Sequence, residues 1–203
     1  LIGGSIAKAI RRYYPDYELL AFDKNRETLA LAVQEGTINT SCSSIDDNFK
    51  GCTYIFLCAP VAYNTAYLPQ LKDLMDSGCI LTDVGSVKTS IHKEVISLGM
   101  EESFIGGHPM AGSEKSGFSS SKAHLIENAY YILTPSAKVP EEKVTAFRDF
   151  ISSLKAIPVI LDYKKHDYIT GTISHLPHII ASTLVNFVRD TDSEDELMKA
   201  LAA

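Results

Sequence analysis

Three short runs of this sequence combine histidine, serine and acidic side chains in patterns that suit catalysis. They are DVGSVK at 83–88, GGHPMAGSE at 106–114 and SHLPH at 174–178. His108 stands between a glycine pair and a proline, where the backbone allows a ligand to approach closely. An imidazole titrates near neutral pH, so this residue is a candidate general base. The alternative is a histidine that only ends a turn, and the residues alone leave both open.

The third run places several polar groups on one side of a helix. Ser174, His175 and His178 share a face because residues three and four apart are neighbours on a helix. Polar groups on an otherwise apolar helix need partners, which are either a substrate or the backbone. A zinc site is a further option, although no cysteine or carboxylate cluster completes it.

The chain opens with half of a dinucleotide-binding fingerprint. Leu1, Ile2 and Gly3 stand directly before an apolar helix stripe, and Asp23 follows 20 residues after Gly3. A glycine at a helix N-terminus allows a pyrophosphate to approach the backbone, and a carboxylate at this distance binds the ribose hydroxyls. The alternatives are a tight glycine turn and a solvated acid at a strand end. The first strand and two further glycines of the fingerprint would precede Leu1, so we expect the natural protein to extend upstream.

The residue at position 23 also bears on the cofactor. A carboxylate accepts hydrogen bonds from both ribose hydroxyls and repels a 2′-phosphate, so Asp23 favours NAD over NADP. Lys24 and Arg26 follow at once and soften that preference.

The elements that must hold these residues alternate between short apolar runs and amphipathic stretches. Such runs predict strands, and the stripes between them predict helices. This alternation predicts an α/β fold with a mostly parallel, Rossmann-like sheet whose first strand is missing from the chain. The predicted strands are 17–23, 53–58, 79–84, 103–106, 130–134 and 157–162. The predicted helix stripes centre on Ile6 to Tyr13, Leu68 to Met75, Ile91 to Leu98 and Val144 to Leu154.

A change of pattern follows Asp162. Residues 167–188 predict one long apolar helix that Pro177 kinks, and a shorter helix follows from Ser193 to Ala203. A helix that is apolar on most sides must be buried, often against a second subunit. We therefore expect a dinucleotide-binding domain over 1–163 and the start of an all-helical domain over 164–203, which favours a homodimer.

Composition narrows the class of protein. Of 203 residues, 45% are apolar and 22% are charged, as in ordinary globular proteins. The net charge of −6 disfavours a nucleic-acid partner, and the apolar runs are too short to span a membrane. The four cysteines form no C-x-x-C pair, which predicts free thiols in a reducing cytoplasm.

The three polar runs, LIGGS at the start and HDYITGTISHLPH at 166–178 together resemble the prephenate dehydrogenase family over essentially the whole chain. The resemblance implies NAD-dependent oxidation of prephenate with loss of CO₂, giving 4-hydroxyphenylpyruvate in tyrosine biosynthesis. It implies that His108 accepts the proton of the ring hydroxyl and that Ser86 positions this hydroxyl and the nicotinamide. The family continues past Ala203 into a helical dimerisation region with a substrate-binding arginine. The chain therefore lacks part of the phosphate loop and one substrate anchor, and we expect it to be inactive as it stands.

The same resemblance assigns the remaining candidate residues. Ser113 and Glu114 would line the substrate pocket, and Asp167 would help to gate it. Pro60 would begin the cofactor loop after its strand. The residues implied to contact the substrate on the helix are Ser174, His175 and His178.

Two other functions stay open from the sequence. The first is oxidation of arogenate, the amino analogue of prephenate. It stays open because the residues that distinguish the two substrates are expected beyond Ala203. A non-catalytic nucleotide-binding module with structural histidines is the second. The joint presence of His108, Ser86 and Ser174 speaks against that module, because binding a nucleotide does not require them.

Overall fold

The computed structural model describes residues 1–192, which fall into two compact units. The first is Leu1–His166, and the second begins at Asp167. The helix predicted over 193–203 lies outside the described residues.

Strands and helices alternate through the first unit, as the pattern of apolar runs predicts. The strands are β1 (Leu20–Phe22), β2 (Thr40–Cys42), β3 (Tyr54–Leu57), β4 (Ile80–Asp83), β5 (Ile105–Pro109), β6 (Tyr130–Pro135) and β7 (Ile157–Ile160). The helices are α1 (Ile2–Tyr13), α2 (Arg26–Gln34), α3 (Val61–Lys72), α4 (Thr89–Leu98), α5 (Glu141–Ser153) and α6 (Tyr163–Thr170).

The strand pairing is mostly parallel, which confirms the predicted fold class. β1 pairs with β2, β3 with β4, and β6 with β7, all in parallel. A single parallel bridge from Leu81 to Phe104 connects β4 to the segment before β5. Among the strands of residues 1–192, only β5 and β6 pair antiparallel, with His108 opposite Ile132.

Neighbouring side chains of β4 point to opposite faces of the sheet. Ile80 packs into a core with α1 and α5, whereas Leu81 packs into a core with α3 and α4. Side chains alternate between the two faces of a strand, so both faces of this sheet carry helices. Burial on both faces is the reason that the strands read as continuous apolar runs.

A groove separates β1 from β3. No strand of residues 1–192 pairs with both of them, as expected from a chain without the fingerprint's first strand. The groove is lined by both strands and by α1.

The second unit differs from the predicted single kinked helix. Five residues, Gly171–His175, form a π-helical turn after α6, and α7 (Leu176–Thr191) begins directly after it. The N–H of Leu176 donates to the carbonyl of Gly171, five residues earlier. Pro177 has no N–H and its ring crowds the preceding turn, so the helix widens in the turn before the proline.

The apolar side chains of α7 are not buried by the described residues. Ile179, Leu184 and Phe187 are 63%, 61% and 67% exposed. Burial of this helix against a second subunit stays a prediction.

Candidate active site

The groove between β1 and β3 joins residues that the sequence assigns to a cofactor. Its lining includes Gly3 in the first turn of α1, Asp23 directly after β1 and Pro60 before α3. These positions lie around the carboxyl ends of two parallel strands, where open α/β sheets bind ligands. Leu1 and Ile2 stand at the start of the same helix.

The first turn of α1 packs tightly against its surroundings. A Cβ atom on Gly3 would lie 2.8 Å from Cβ of Cys58, and one on Gly4 would lie 2.8 Å from the ring of Phe118. No side chain caps the first N–H groups of α1. The glycines thus bring the helix start close to the end of β3, with backbone donors that suit an anion.

Asp23 is exposed, and its Oδ1 accepts the N–H of Asn25 at 2.8 Å. Asn25 in turn caps α2 by accepting the N–H of Thr28. The carboxylate is therefore held at the strand end by the turn into α2, and it keeps oxygen lone pairs for a further donor.

A buried ion pair lies at the end of β4. The Asp83 carboxylate and the Lys88 ammonium are in direct contact, and both side chains are fully buried. Oδ2 of Asp83 also accepts the N–H of Gly85 at 2.9 Å, and Oδ1 accepts the N–H of Gly107 at 3.2 Å. Burial raises the pKa of Asp83, while Lys88 and the two backbone donors oppose that shift.

This ion pair connects the loop of Ser86 with strand β5, which carries His108. Ser86 lies in the loop that the contact between Asp83 and Lys88 closes. Ser86 is exposed. His108 follows directly after Gly107, which Asp83 binds. The structure thus brings the Ser86 loop and the backbone of His108 to one edge of the sheet.

The glycine pair before His108 is required by protein packing. A Cβ atom on Gly106 would collide with Oγ1 of Thr134, and one on Gly107 would lie 2.5 Å from the carbonyl oxygen of Asp83. The sequence interpretation of these glycines as room for a ligand is therefore incomplete, because the space beside them is filled by β4 and β6.

His108 has a partner that the sequence analysis did not single out. Its Nδ1 lies 2.8 Å from Nε2 of His166, and the rings meet edge to face with centroids 5.1 Å apart. His166 is fully buried, whereas His108 is half-buried. The sequence offered one signal for His166, which is its position as the first residue of the run HDYITGTISHLPH, directly before Asp167.

Ser113 and Glu114 lie in the loop after β5, and both are exposed. The hydroxyl of Ser113 accepts the N–H of Lys115 at 3.2 Å. No described contact joins Ser113 or Glu114 to His108, so their place in a pocket stays a prediction.

The remaining candidates lie in the second unit. Asp167, Ser174 and His175 are half-buried, and His178 is exposed. Nδ1 of His178 donates to the carbonyl of Ser174 at 2.9 Å, so the neutral ring has its lone pair on Nε2. The π-helical turn carries Ser174 and His175, and such turns recur at functional sites. The convergence of His108, His175 and His178 on one cleft stays a prediction.

Residues 1–192 contain no group of three or more His, Cys, Asp or Glu side chains arranged to hold a metal ion. Over the same residues, no helix has the length and apolar character that crossing a bilayer requires.

Comparison with known families identifies the family of this chain. The family described as "Prephenate dehydrogenase, nucleotide-binding domain" matches residues 6–160. The chain belongs to the prephenate dehydrogenase family. The family's dimerisation domain matches residues 162–203.

Relatives and solved structures agree with this membership. A prephenate dehydrogenase of Lactococcus lactis is 40% identical over all of this chain and 56% of its own length. The Aquifex aeolicus prephenate dehydrogenase, solved with hydroxyphenyl propionate and NAD⁺, is 30% identical with a TM-score of 0.89, over 96% of this chain and 68% of that one. A Synechocystis arogenate dehydrogenase is 29% identical with a TM-score of 0.86, over 100% of this chain and 72% of that one. The chain thus spans little more than half the length of its curated relative.

Proposed function

We propose that this chain forms the nucleotide-binding part, and the beginning of the dimerisation part, of an NAD-dependent prephenate dehydrogenase. The reaction would convert prephenate to 4-hydroxyphenylpyruvate and CO₂. The observation that carries the proposal is the attachment of the His108 backbone to the Ser86 loop through Asp83. This attachment supports a site at the ends of β4 and β5 in which His108 is the base and Ser86 is a hydroxyl donor.

The residues around the β1–β3 groove fit NAD. The uncapped N–H groups of α1 suit a pyrophosphate, and Gly3 lets the helix start lie close to the end of β3. The exposed carboxylate of Asp23 suits the two ribose hydroxyls and disfavours a 2′-phosphate. Pro60 begins α3 at the same groove. When bound, NAD supplies the acceptor for the hydride that leaves the substrate ring.

The chain's own residues would position the substrate and move one proton. His108 would accept the proton of the ring hydroxyl, which must leave as the hydride departs. Ser86 would position that hydroxyl and the nicotinamide relative to each other. Ser174, His175 and His178 would donate to the substrate's oxygens, Asp167 would gate entry, and Ser113 and Glu114 would line the pocket.

Production of NADH from NAD and prephenate by the intact protein tests this function. We expect His108→Asn to lower kcat by about 10²- to 10⁴-fold while the Kd for NAD stays the same. His124→Asn is the matched control, because His124 is an exposed histidine of the first unit. Full turnover in His108→Asn would refute the assigned base. Binding of NAD without binding of 4-hydroxyphenylpyruvate would instead favour a module that only binds nucleotide.

Arogenate is the second candidate substrate. The Synechocystis arogenate dehydrogenase matches all of this chain with a TM-score of 0.86, close to the 0.89 of the Aquifex prephenate dehydrogenase. The two substrates differ only in the side chain, which carries an oxo group in one and an ammonium in the other. The ratio of their kcat/KM values decides between them, and we expect prephenate to be favoured.

A homodimer is the proposed assembly. Ile179, Leu184 and Phe187 leave an apolar surface exposed along α7, and such a surface marks an interaction site. The match of residues 162–203 to the family's dimerisation domain supports a second copy of the protein as its partner.

A further inference from the structure

His166 is a buried histidine that faces the proposed base. Its Nε2 lies 2.8 Å from Nδ1 of His108, although the two residues are 58 positions apart. His166 is fully buried, with 0% exposure. A polar ring so deeply buried needs a partner for each nitrogen, and His108 satisfies one of them.

Both rings are held on ordered elements. Asp162 lies directly before α6, where its carboxylate accepts the N–H groups of Lys164 and Lys165 at 2.9 and 3.1 Å. The N–H of His166 donates to the carbonyl of Asp162 at 2.8 Å, which closes the first turn of the helix. His108 is held by β5, whose neighbouring Gly107 binds Asp83. The backbone of both histidines is therefore held by ordered elements.

The facing nitrogens can share only one hydrogen. A neutral imidazole has one N–H donor and one lone-pair acceptor, so one ring donates and the other accepts. If His108 accepted at Nδ1, its Nε2 would carry hydrogen and could not take a proton. If His108 donates from Nδ1, its lone pair lies on Nε2, and the ring is ready to act as a base.

We propose that His166 is a positioning residue that accepts the Nδ1–H of His108 and so fixes the tautomer in which Nε2 is the base. The inference rests on the proposed function of His108. The proton moves from the substrate's hydroxyl oxygen to Nε2 of His108, and none moves to His166. The Nδ1–H bond persists through the step and strengthens as His108 becomes an imidazolium. His166 thus orients a base as the third member of a hydrolase triad does, but without a negative charge.

The tautomer can be read directly by nitrogen NMR of the intact protein with ¹⁵N-labelled histidine. We expect the Nδ1 of His108 to be protonated and its Nε2 to be unprotonated at neutral pH, with the His108 signals assigned by their loss in His108→Asn. A protonated Nε2 with a bare Nδ1 overturns the proposal. This measurement needs no turnover, so it fails independently of the proposed enzymatic function.

Two substitutions of His166 separate its acceptor from its bulk. His166→Leu removes the acceptor, and we expect kcat to fall by about 10- to 100-fold while the KM for NAD is unchanged. His166→Gln offers an amide oxygen near the position of Nε2 and should retain most of the wild-type kcat. His124→Leu controls for the loss of a histidine, because His124 is exposed. Unchanged kcat in His166→Leu, or equal losses in both variants, contradicts the proposal. If His166→Leu does not fold, the glutamine variant and the NMR measurement decide.

Discussion

Removing the ammonium group beside Asp83 should destabilise the first unit strongly. In Lys88→Met, the carboxylate of Asp83 would stay fully buried and keep only the N–H groups of Gly85 and Gly107 as partners. Breaking a buried ion pair by removing one partner costs about 3–5 kcal/mol. A domain is stable by about 5–15 kcal/mol, so this loss is a large share of the total.

The loss should depend on pH, with a sign set by burial. Burial raises the pKa of Asp83, and Lys88→Met removes the strongest opposing influence. The folded variant then binds a proton more readily than the unfolded chain, so its stability falls as pH rises through the raised pKa. The deficit relative to wild type should accordingly be smaller at about pH 5 than at about pH 8.

Urea unfolding at both pH values, followed by circular dichroism, measures the effect. Lys50→Met is the matched control, because Lys50 pairs with Asp47 at 2.8 Å in an exposed ion pair. Such surface pairs contribute about 0–1 kcal/mol. Asp83→Asn added to Lys88→Met should recover much of the loss, since a neutral amide is easier to bury. A Lys88→Met deficit no larger than that of Lys50→Met, or one that grows on acidification, would refute this reasoning.

Three further predictions concern packing, assembly and cofactor. Gly107→Ala should destabilise the protein by about 1–3 kcal/mol in thermal melts, because the new Cβ would lie 2.5 Å from the Asp83 carbonyl. Leu184→Arg should convert a dimer to a monomer in light scattering, since it places a charge on the apolar surface of α7. Asp23→Ala should raise the Kd for NAD about tenfold or more in fluorescence titration, by the loss of a charged hydrogen-bond acceptor.

Each of these predictions has a matched control in the chain. A Cβ atom on Gly112 would meet nothing within 4 Å, so Gly112→Ala should leave the melting temperature unchanged. Ile96→Arg changes an apolar residue that is 47% exposed on α4, and the dimer should persist. Asp73→Ala removes an exposed acid at the end of α3, away from the groove lining. Equal effects of a test variant and its control would argue against the corresponding interpretation.

The strands were the most predictable part of the fold. Six of the seven strands within residues 1–192 were predicted within a few residues, because each contains or adjoins a short apolar run. β2 was missed, since its three residues, Thr40–Cys42, carry no such run. Helix α2 was also missed, although Asn25, whose side chain caps it, was a usable signal.

The residues of the candidate site were predictable in type but not in their contacts. Sequence alone determined that Ser86 and Asp23 follow strands, because strand ends and polar residues are local features of the chain. His108 was expected after the strand at 103–106, whereas it lies within β5. Only the tertiary structure revealed that Asp83 and Lys88 form a buried pair and that Gly107 is a glycine because β4 leaves no room for a side chain. The contact between His108 and His166 could not be predicted from the sequence either. The two residues are 58 positions apart, so their contact depends on how β5 and α6 pack and produces no periodic pattern in the sequence.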